Sequence, residues 1–506
     1  MPDNVRALIV VLALALPAFY FGRRLAASVI APREFAVWRN AWLAATVAAF
    51  LSGNFFVFAA IMVMICFYAR AASAATAALF IVLLLAVPVV RVSIPGFGII
   101  NLLFLIDNGR LLAIVLLFPI LFTTSRLGRR NSGAFAMPDR LIVGYVLLLI
   151  ALEVRNSEVT QIMRSATLLA LDVLIPYFAF SRTVTRVADL RRVLLAFIIS
   201  VLPLSLIAIF ETAKGWLLYG SIVHNWEESH LSLYLERGGI LRATGSATNP
   251  IVLGFIIMVA IGCVLALQQT IGSRRFVGIA FAILGAGLVA TLSRGPWIGA
   301  AVLVLAFLAT GANAVANLAR FAVIGAVVLL PLLLTPVGDR LLDFLPFIGS
   351  IDTGSVTYRQ LLFENALRVI ERNPWFGSTD YLATPEMQKM IQGQGIIDIV
   401  NTYLEVMLKS GLAGLGLFLG FFATILIGLL RVIKFDAVRD SGLGGYARAS
   451  MVTLIAILVT IVTVSSVDFI PYVYWSFAGL CVALIRIAYR DRVAVARTAH
   501  AGRIPV

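Results

Sequence analysis

The sequence predicts an all-α polytopic integral membrane protein, and three observations carry that reading. Of 506 residues, 61% are hydrophobic and only 13% charged, where soluble domains run nearer about a quarter charged. The mean hydropathy is +1.00. Apolar runs of about 20 residues recur along the chain, each long enough to cross a ~30 Å hydrocarbon layer as a helix. Soluble and disordered classes are excluded on these grounds.

Taken in order, the pattern predicts about fourteen to fifteen transmembrane helices, near 5–21, 36–51, 54–70, 74–90, 108–123, 138–154, 164–181, 191–212, 249–268, 275–292, 295–312, 318–335, 412–432, 447–466 and 469–488. The first run is followed by Gly22-Arg23-Arg24 rather than by a small-residue cleavage site, so it reads as a retained span. The stretch 93–108, with Pro95-Gly96-Phe97-Gly98, reads as an interfacial or re-entrant piece. Four regions follow: N-terminal spans over 1–190, spans with an external loop at 213–248 over 191–335, one large loop over 336–411, and C-terminal spans with a tail over 412–506.

Net charge is +15. In a soluble protein that would suggest nucleic acid, but here the basic residues sit in loops between spans and act as a topology signal. With the C-terminus cytoplasmic, 25 of the 40 Lys and Arg residues fall on the inner side in short loops. The 336–411 and 213–248 loops and the tight turn Ser293-Arg294-Gly295-Pro296 are then external, and the large loop is periplasmic. No nucleic-acid partner is expected. Cys66, Cys263 and Cys481 all lie in apolar spans without metal-ligand spacing, so neither disulfide, metal nor cofactor is expected.

The 336–411 loop interrupts an apolar chain with Arg359, Glu364, Arg368, Glu371, Arg372, Asp380, Glu386, Asp398 and other charges. Loops of this length usually carry function. Three external arginines stand out. Arg294 is pinned at a membrane face by a turn of a few residues; an interfacial anchor that snorkels to headgroups is its competing reading. Arg242 precedes a span opening at Asn249-Pro250, where a helix N-terminus adds partial positive charge. Arg359 begins an amphipathic run extending through Ile370. A guanidinium is a planar fork matched to phosphate oxygens, so arginines converging at one membrane face suggest a diphosphate site. Trp216, Trp226, Tyr234, Trp297, Trp375, Tyr381 and Tyr403 are mostly belt residues, and some in the outer loops, Trp375 and Tyr403 with Asn401 among them, are candidates for contact with sugars.

Several blocks together resemble the O-antigen ligase and O-antigen polymerase superfamily of bacterial envelope glycosyltransferases. They are Arg242, Gly245 and Asn249-Pro250; Ser293-Arg294-Gly295; Arg359, Ala366 and Pro374-Trp375-Phe376-Gly377; and Asn401-Thr402-Tyr403-Leu404 followed by Gly411-Leu412-Ala413-Gly414. The resemblance runs over roughly 190–430. It implies a GT-C-like membrane fold, an inverting, metal-independent transfer from a glycan on undecaprenyl diphosphate, and residence in the bacterial inner membrane. It also implies that Arg242, Arg294 and Arg359 hold the diphosphate. Partners would be the lipid-linked donor, an acceptor glycan, membrane lipids, and flippase and chain-length regulator proteins.

One position departs from that pattern. Ligases of the superfamily carry His-Asn where this chain has Val400-Asn401. Valine accepts no proton, and the nearest ionisable groups, Asp398 and Glu405, become the candidate bases. His224 and His230 are the external histidines and are weaker candidates. The missing histidine favours a polymerase of exopolysaccharide, capsule or O-antigen repeats over a ligase. A lipid-linked glycan flippase is the alternative of another class. Deep ionisable residues are few, with Glu211 the main one, and the site features gather on one face, which favours an enzyme.

Overall fold

The computed structural model describes residues 2–96, 102–121, 135–155, 157–226, 234–333, 353–392, 395–439 and 442–501. His230, residues 334–335 at the end of the 318–335 span and the 336–352 part of the large loop lie outside them, as do Phe97 and Gly98. Helices dominate. Each of the fifteen expected spans overlaps a helix, and eight helices among the described residues are long and apolar enough to cross a membrane by length and composition. The chain is an all-α polytopic membrane protein.

Three helices form the interior. Val187–Lys214, Pro250–Ile271 and the 469–492 part of the last helix each contain an 18-residue apolar window, and these windows are 83, 89 and 94% buried. A helix hydrophobic all round belongs in the middle of a bundle. Val187–Lys214 packs against Asp3–Ala26, Pro250–Ile271 and Arg274–Ala290. Pro250–Ile271 packs in turn against Arg294–Ala309 and Leu443–Thr460. Small residues set the closest approaches: a Cβ at Gly262 would overlap Thr453, and one at Gly299 would overlap Thr460. Close backbone approach through small residues is how membrane helices associate where no hydrophobic force separates them from lipid.

The described parts of the 93–108 stretch are two antiparallel strands, Val92–Pro95 paired with Leu102–Ile106, the second leading into the short helix at Asn108. One expectation is modified. The run at 447–466 ends its helix at Thr460, and 461–468 leaves the helical path before Phe469. Glu211 also has company. Arg110 makes a two-pronged pair with Asp172, at 3.0 and 2.7 Å, and Tyr472 donates to the same carboxylate at 2.8 Å. Asp172 lies in a π-helical turn, Ala170–Leu174, a distortion that commonly re-aims one side chain.

The described part of the large loop has its own small core. Helix Thr353–Arg372 turns Leu362, Ala366, Val369 and Ile370 inward, the spacing of one helical stripe, onto Tyr381, Met387, Met390, Ile399 and Leu408. Burying each large aliphatic chain contributes about 1.5–3 kcal/mol, enough to give this cap a definite shape above the bundle.

Candidate active site

The site begins at the C-terminal end of Val187–Lys214, where Glu211 is fully buried. Its carboxylate accepts from the Leu218 amide at 2.9 Å and from the Thr244 and Gly245 amides, each at 2.9 Å. A buried charge is tolerated when hydrogen bonds replace its hydration. Glu211 therefore acts as a staple, fixing the backbone just after Arg242. The Ala243 amide adds a bond to Ala290 O at 3.2 Å.

Arg242 is thereby aimed at the turn before Arg294. Its Nη2 donates to Ser293 Oγ at 3.0 Å and its Nε to Thr291 O at 3.4 Å, while Arg237 Nη1 donates to Leu292 O at 2.7 Å. Leu292 has φ of 46°, a conformation uncommon outside glycine and found where a turn is tightly constrained. Arg294 is the first residue of helix Arg294–Ala309 and is partly exposed. Two of the three predicted arginines thus share one turn.

The third joins through the 461–468 segment. Arg359 is exposed on helix Thr353–Arg372, and its Nη2 donates to Thr463 O at 3.4 Å. On its other side Thr463 Oγ1 lies against Gly295, where a Cβ would collide with it. The chain Arg242, Ser293, Arg294, Gly295, Thr463, Arg359 is therefore continuous in space. Asp398 belongs to the same cluster: its Oδ1 accepts from Ser465 Oγ at 2.5 Å, and Arg359 acts on it electrostatically. Burial pushes the Asp398 carboxyl above its ordinary range; the Ser465 hydrogen bond and the Arg359 charge pull it partly back, and Glu405 pushes it up. A carboxylate with a raised pKa and a fixed orientation suits a general base.

Glu405 differs. Its Oε1 pairs with Lys409 at 2.5 Å, one helical turn on, so that oxygen is engaged by a neighbour on its own helix. Asn401 caps helix Thr402–Arg439, accepting from the Tyr403 and Leu404 amides at 2.9 and 3.1 Å. The Tyr403 hydroxyl donates to Leu458 O at 2.9 Å, and its ring stands edge-on to Phe418 at 5.9 Å. Both residues spend these groups inside the protein. Trp375, 66% accessible, and Tyr234, 51% accessible, are exposed. Trp226 is buried and donates to Ser52 O at 3.2 Å, and Trp297 donates to Leu288 O at 2.9 Å, so both serve packing. His224 is exposed on the short helix Gly220–Trp226. Asn249 caps the helix that starts at Pro250, accepting from the Ile251 amide at 2.8 Å, so that amide is already satisfied by the chain.

The glycine-rich block after Asn401 has a geometric reason. Helix Thr402–Arg439 breaks at Gly411, with φ 61° and ψ −160°. Through that break the 374–377 loop lies backbone to backbone on the helix. The Leu412 and Ala413 amides donate to Pro374 O and Trp375 O at 2.8 and 3.0 Å, and the Ser378 amide donates to Leu408 O at 2.8 Å.

Residues 279–419 match the O-antigen ligase family. The matched segment contains the Arg294 turn, Arg359, Asp398, the 374–377 loop and the Gly411 break; Arg242 and the 461–468 segment lie outside it. It supports an O-antigen ligase or polymerase type of function in general, with lipid-linked glycan and membrane lipid as the implied substrates. No curated protein matches the chain.

Sequence reasoning did not single out Glu211 as a staple, nor Thr463 and Ser465. The second omission had a visible signal: Ser465-Ser466 and Asp468 form a polar cluster between two apolar runs, which marks a loop.

Proposed function

We propose that this chain is an inverting glycosyltransferase that joins undecaprenyl-diphosphate-linked oligosaccharide repeats into an exopolysaccharide, capsule or O-antigen chain at the periplasmic face of the bacterial inner membrane. The observation that carries this reading is the gathering of the Arg242–Arg294 turn, Arg359 and Asp398 around the 461–465 segment. It supplies cations for a diphosphate beside a proton acceptor.

In the proposed step Asp398 takes the proton from an acceptor hydroxyl as its oxygen attacks the anomeric carbon. The bond from that carbon to the diphosphate oxygen breaks, and the electron pair leaves on the phosphate. The guanidinium groups stabilise the charge that develops there. A diphosphate leaves as an anion, so no acid is required. Trp375 would stack on a sugar face. The donor would arrive by way of a flippase, and chain-length regulator proteins would act on the product.

Deletion of the gene separates the alternatives. Accumulated single lipid-linked repeats support the polymerase. Long lipid-linked chains that never reach an acceptor would replace it with the ligase reading, and repeats trapped on the cytoplasmic leaflet with the flippase reading.

Asp398→Asn is expected to slow turnover about 100-fold, the lower end of what a positioned base supplies, and Glu405→Gln to change it little. The wild-type rate should fall as pH drops through the Asp398 pKa, because the protonated acid cannot accept a proton. Its raised value places that acid limb above the usual carboxylate range. Wild-type turnover in Asp398→Asn would remove the base assignment.

A further inference from the structure

The 461–468 segment sits outside the O-antigen ligase match, yet Gly295 beside Arg294, Arg359, Asp398 and Thr402 all touch it. Ile461 O accepts from the Thr402 amide at 3.0 Å, and Val464 O from Thr402 Oγ1 at 2.9 Å. Thr463 O accepts from Arg359, and Thr463 Oγ1 abuts Gly295. Asp468 pairs with Arg91 at 3.5 Å, so the start of strand Val92–Pro95 is tied to the same segment. These partners come from four separate stretches of chain. A short non-helical loop between helix Leu443–Thr460 and the helix that starts at Phe469 holds them in register.

Within this loop the two serines have different tasks. Ser466 Oγ meets Tyr474 OH at 2.9 Å, inside its own helix–loop junction. Ser465 reaches across 67 residues of sequence to Asp398 at 2.5 Å. A carboxylate on an irregular loop end has no helix of its own to orient it. Its direction has to come from a neighbour, and a hydroxyl donor on a rigid junction supplies one. Arg359 and Glu405 also act on the same carboxylate electrostatically, the first favouring its charged form and the second opposing it.

We infer that Ser465 is a positioning residue of the proposed transfer reaction: its hydroxyl holds one oxygen of Asp398, leaving the other to take the proton from the acceptor. The inference rests on Asp398 being the base. It brings a side chain from the loop between the last two helices onto the Asp398 carboxylate. Ser465 touches no reacting atom. It acts by orientation and by stabilising the carboxylate form.

The consequence is a displaced pH profile. Without the Ser465 hydroxyl the carboxylate loses a hydrogen bond that favours its charged form, so a higher pH is needed to free it of its proton. The acid limb of the Ser465→Ala rate should move up by about one pH unit, the size expected for one hydrogen bond to a charged group. The assay uses membranes containing the full-length variant and lipid-linked glycan extracted from the deletion strain, with turnover followed from pH 5 to 9. Ser465→Thr should restore the wild-type limb. Ser466→Ala, which alters the same loop without facing Asp398, should leave the limb in place. Should Ser465→Ala fail to accumulate, Ser465→Cys, nearly isosteric and a weak donor, should show the same upward displacement.

An unmoved limb in Ser465→Ala or Ser465→Cys, together with an inactive Asp398→Asn, would overturn the positioning role and leave the proposed function standing. Equal displacement in Ser466→Ala would also overturn it, by showing a general loosening of the loop. Full activity in Asp398→Asn would instead defeat the base assignment beneath both.

Discussion

Replacing Arg294 with alanine is expected to cut polymer formation by about 10²–10³-fold, the loss seen when one fixed donor to a developing anion is removed. Protein level in the membrane should stay the same, because Arg294 is partly exposed at the first position of its helix and the turn before it is tied by other groups. Arg242→Ala should cost a similar factor by two routes. It removes a second guanidinium, and it also removes the donor to Ser293 Oγ at 3.0 Å that holds the turn under Arg294. Neighbours sharing a partner are not additive, so the double variant should lose less than the product of the two factors. Arg294→Lys keeps the charge but loses the planar fork, and should recover only part of the rate. Polymer is read on gels and protein by immunoblot of the membranes. Normal polymer from both alanine variants would end the diphosphate proposal.

The second large effect is structural. Gly411→Ala should prevent stable assembly of the cap on the bundle. At φ 61° and ψ −160° the backbone occupies a region that is essentially restricted to glycine, and strain alone costs on the order of 1–3 kcal/mol. A Cβ there would also lie 2.5 Å from Phe376 N and Trp375 O, both backbone atoms that cannot rotate away. The bonds from Leu412 and Ala413 to the 374–375 carbonyls would then be lost with the contact, leaving polar groups unpaired at a cost of about 1–3 kcal/mol each. The expected result is a sharp loss of folded protein, measured as lower membrane yield and a lower melting temperature in detergent. Gly416→Ala, a control in the same helix with open space around its Cα, should be neutral. Wild-type stability in Gly411→Ala would show that the loop docks some other way.

Residue by residue, the sequence was informative where the signal was local. The amphipathic run at Arg359 is a helix whose inward stripe matches its spacing. Pinning Arg294 in a short turn between two spans followed from the length of the apolar runs on either side. The Gly411-Leu412-Ala413-Gly414 block coincides with a break in its helix, at Gly411. Where partners are far apart in the chain, nothing local announced them. Arg110 and Asp172 are 62 residues apart and Tyr472 lies 300 beyond Asp172; each looks like an isolated polar residue near an apolar run. Ser465 was counted inside a span because the flanking valines and isoleucines carry the hydropathy average across it. Asn401 and Tyr403 looked available for sugar, and the fold directs Asn401 Oδ1 and the Tyr403 hydroxyl to helix capping and to Leu458 O.

By itself the sequence determined that this protein lives in a membrane as a bundle of helices with a polar cap, because transfer of apolar side chains from water is a property of composition and spacing. It also determined which arginines stand at the mouths of spans. Only the tertiary structure decided which of them share a turn, which of the two carboxylates is paired with a lysine and which with a serine, and which loop gathers the site. Those are matters of hydrogen bonding at about 3 Å between groups distant in sequence, and their pairing exists only once the helices have packed.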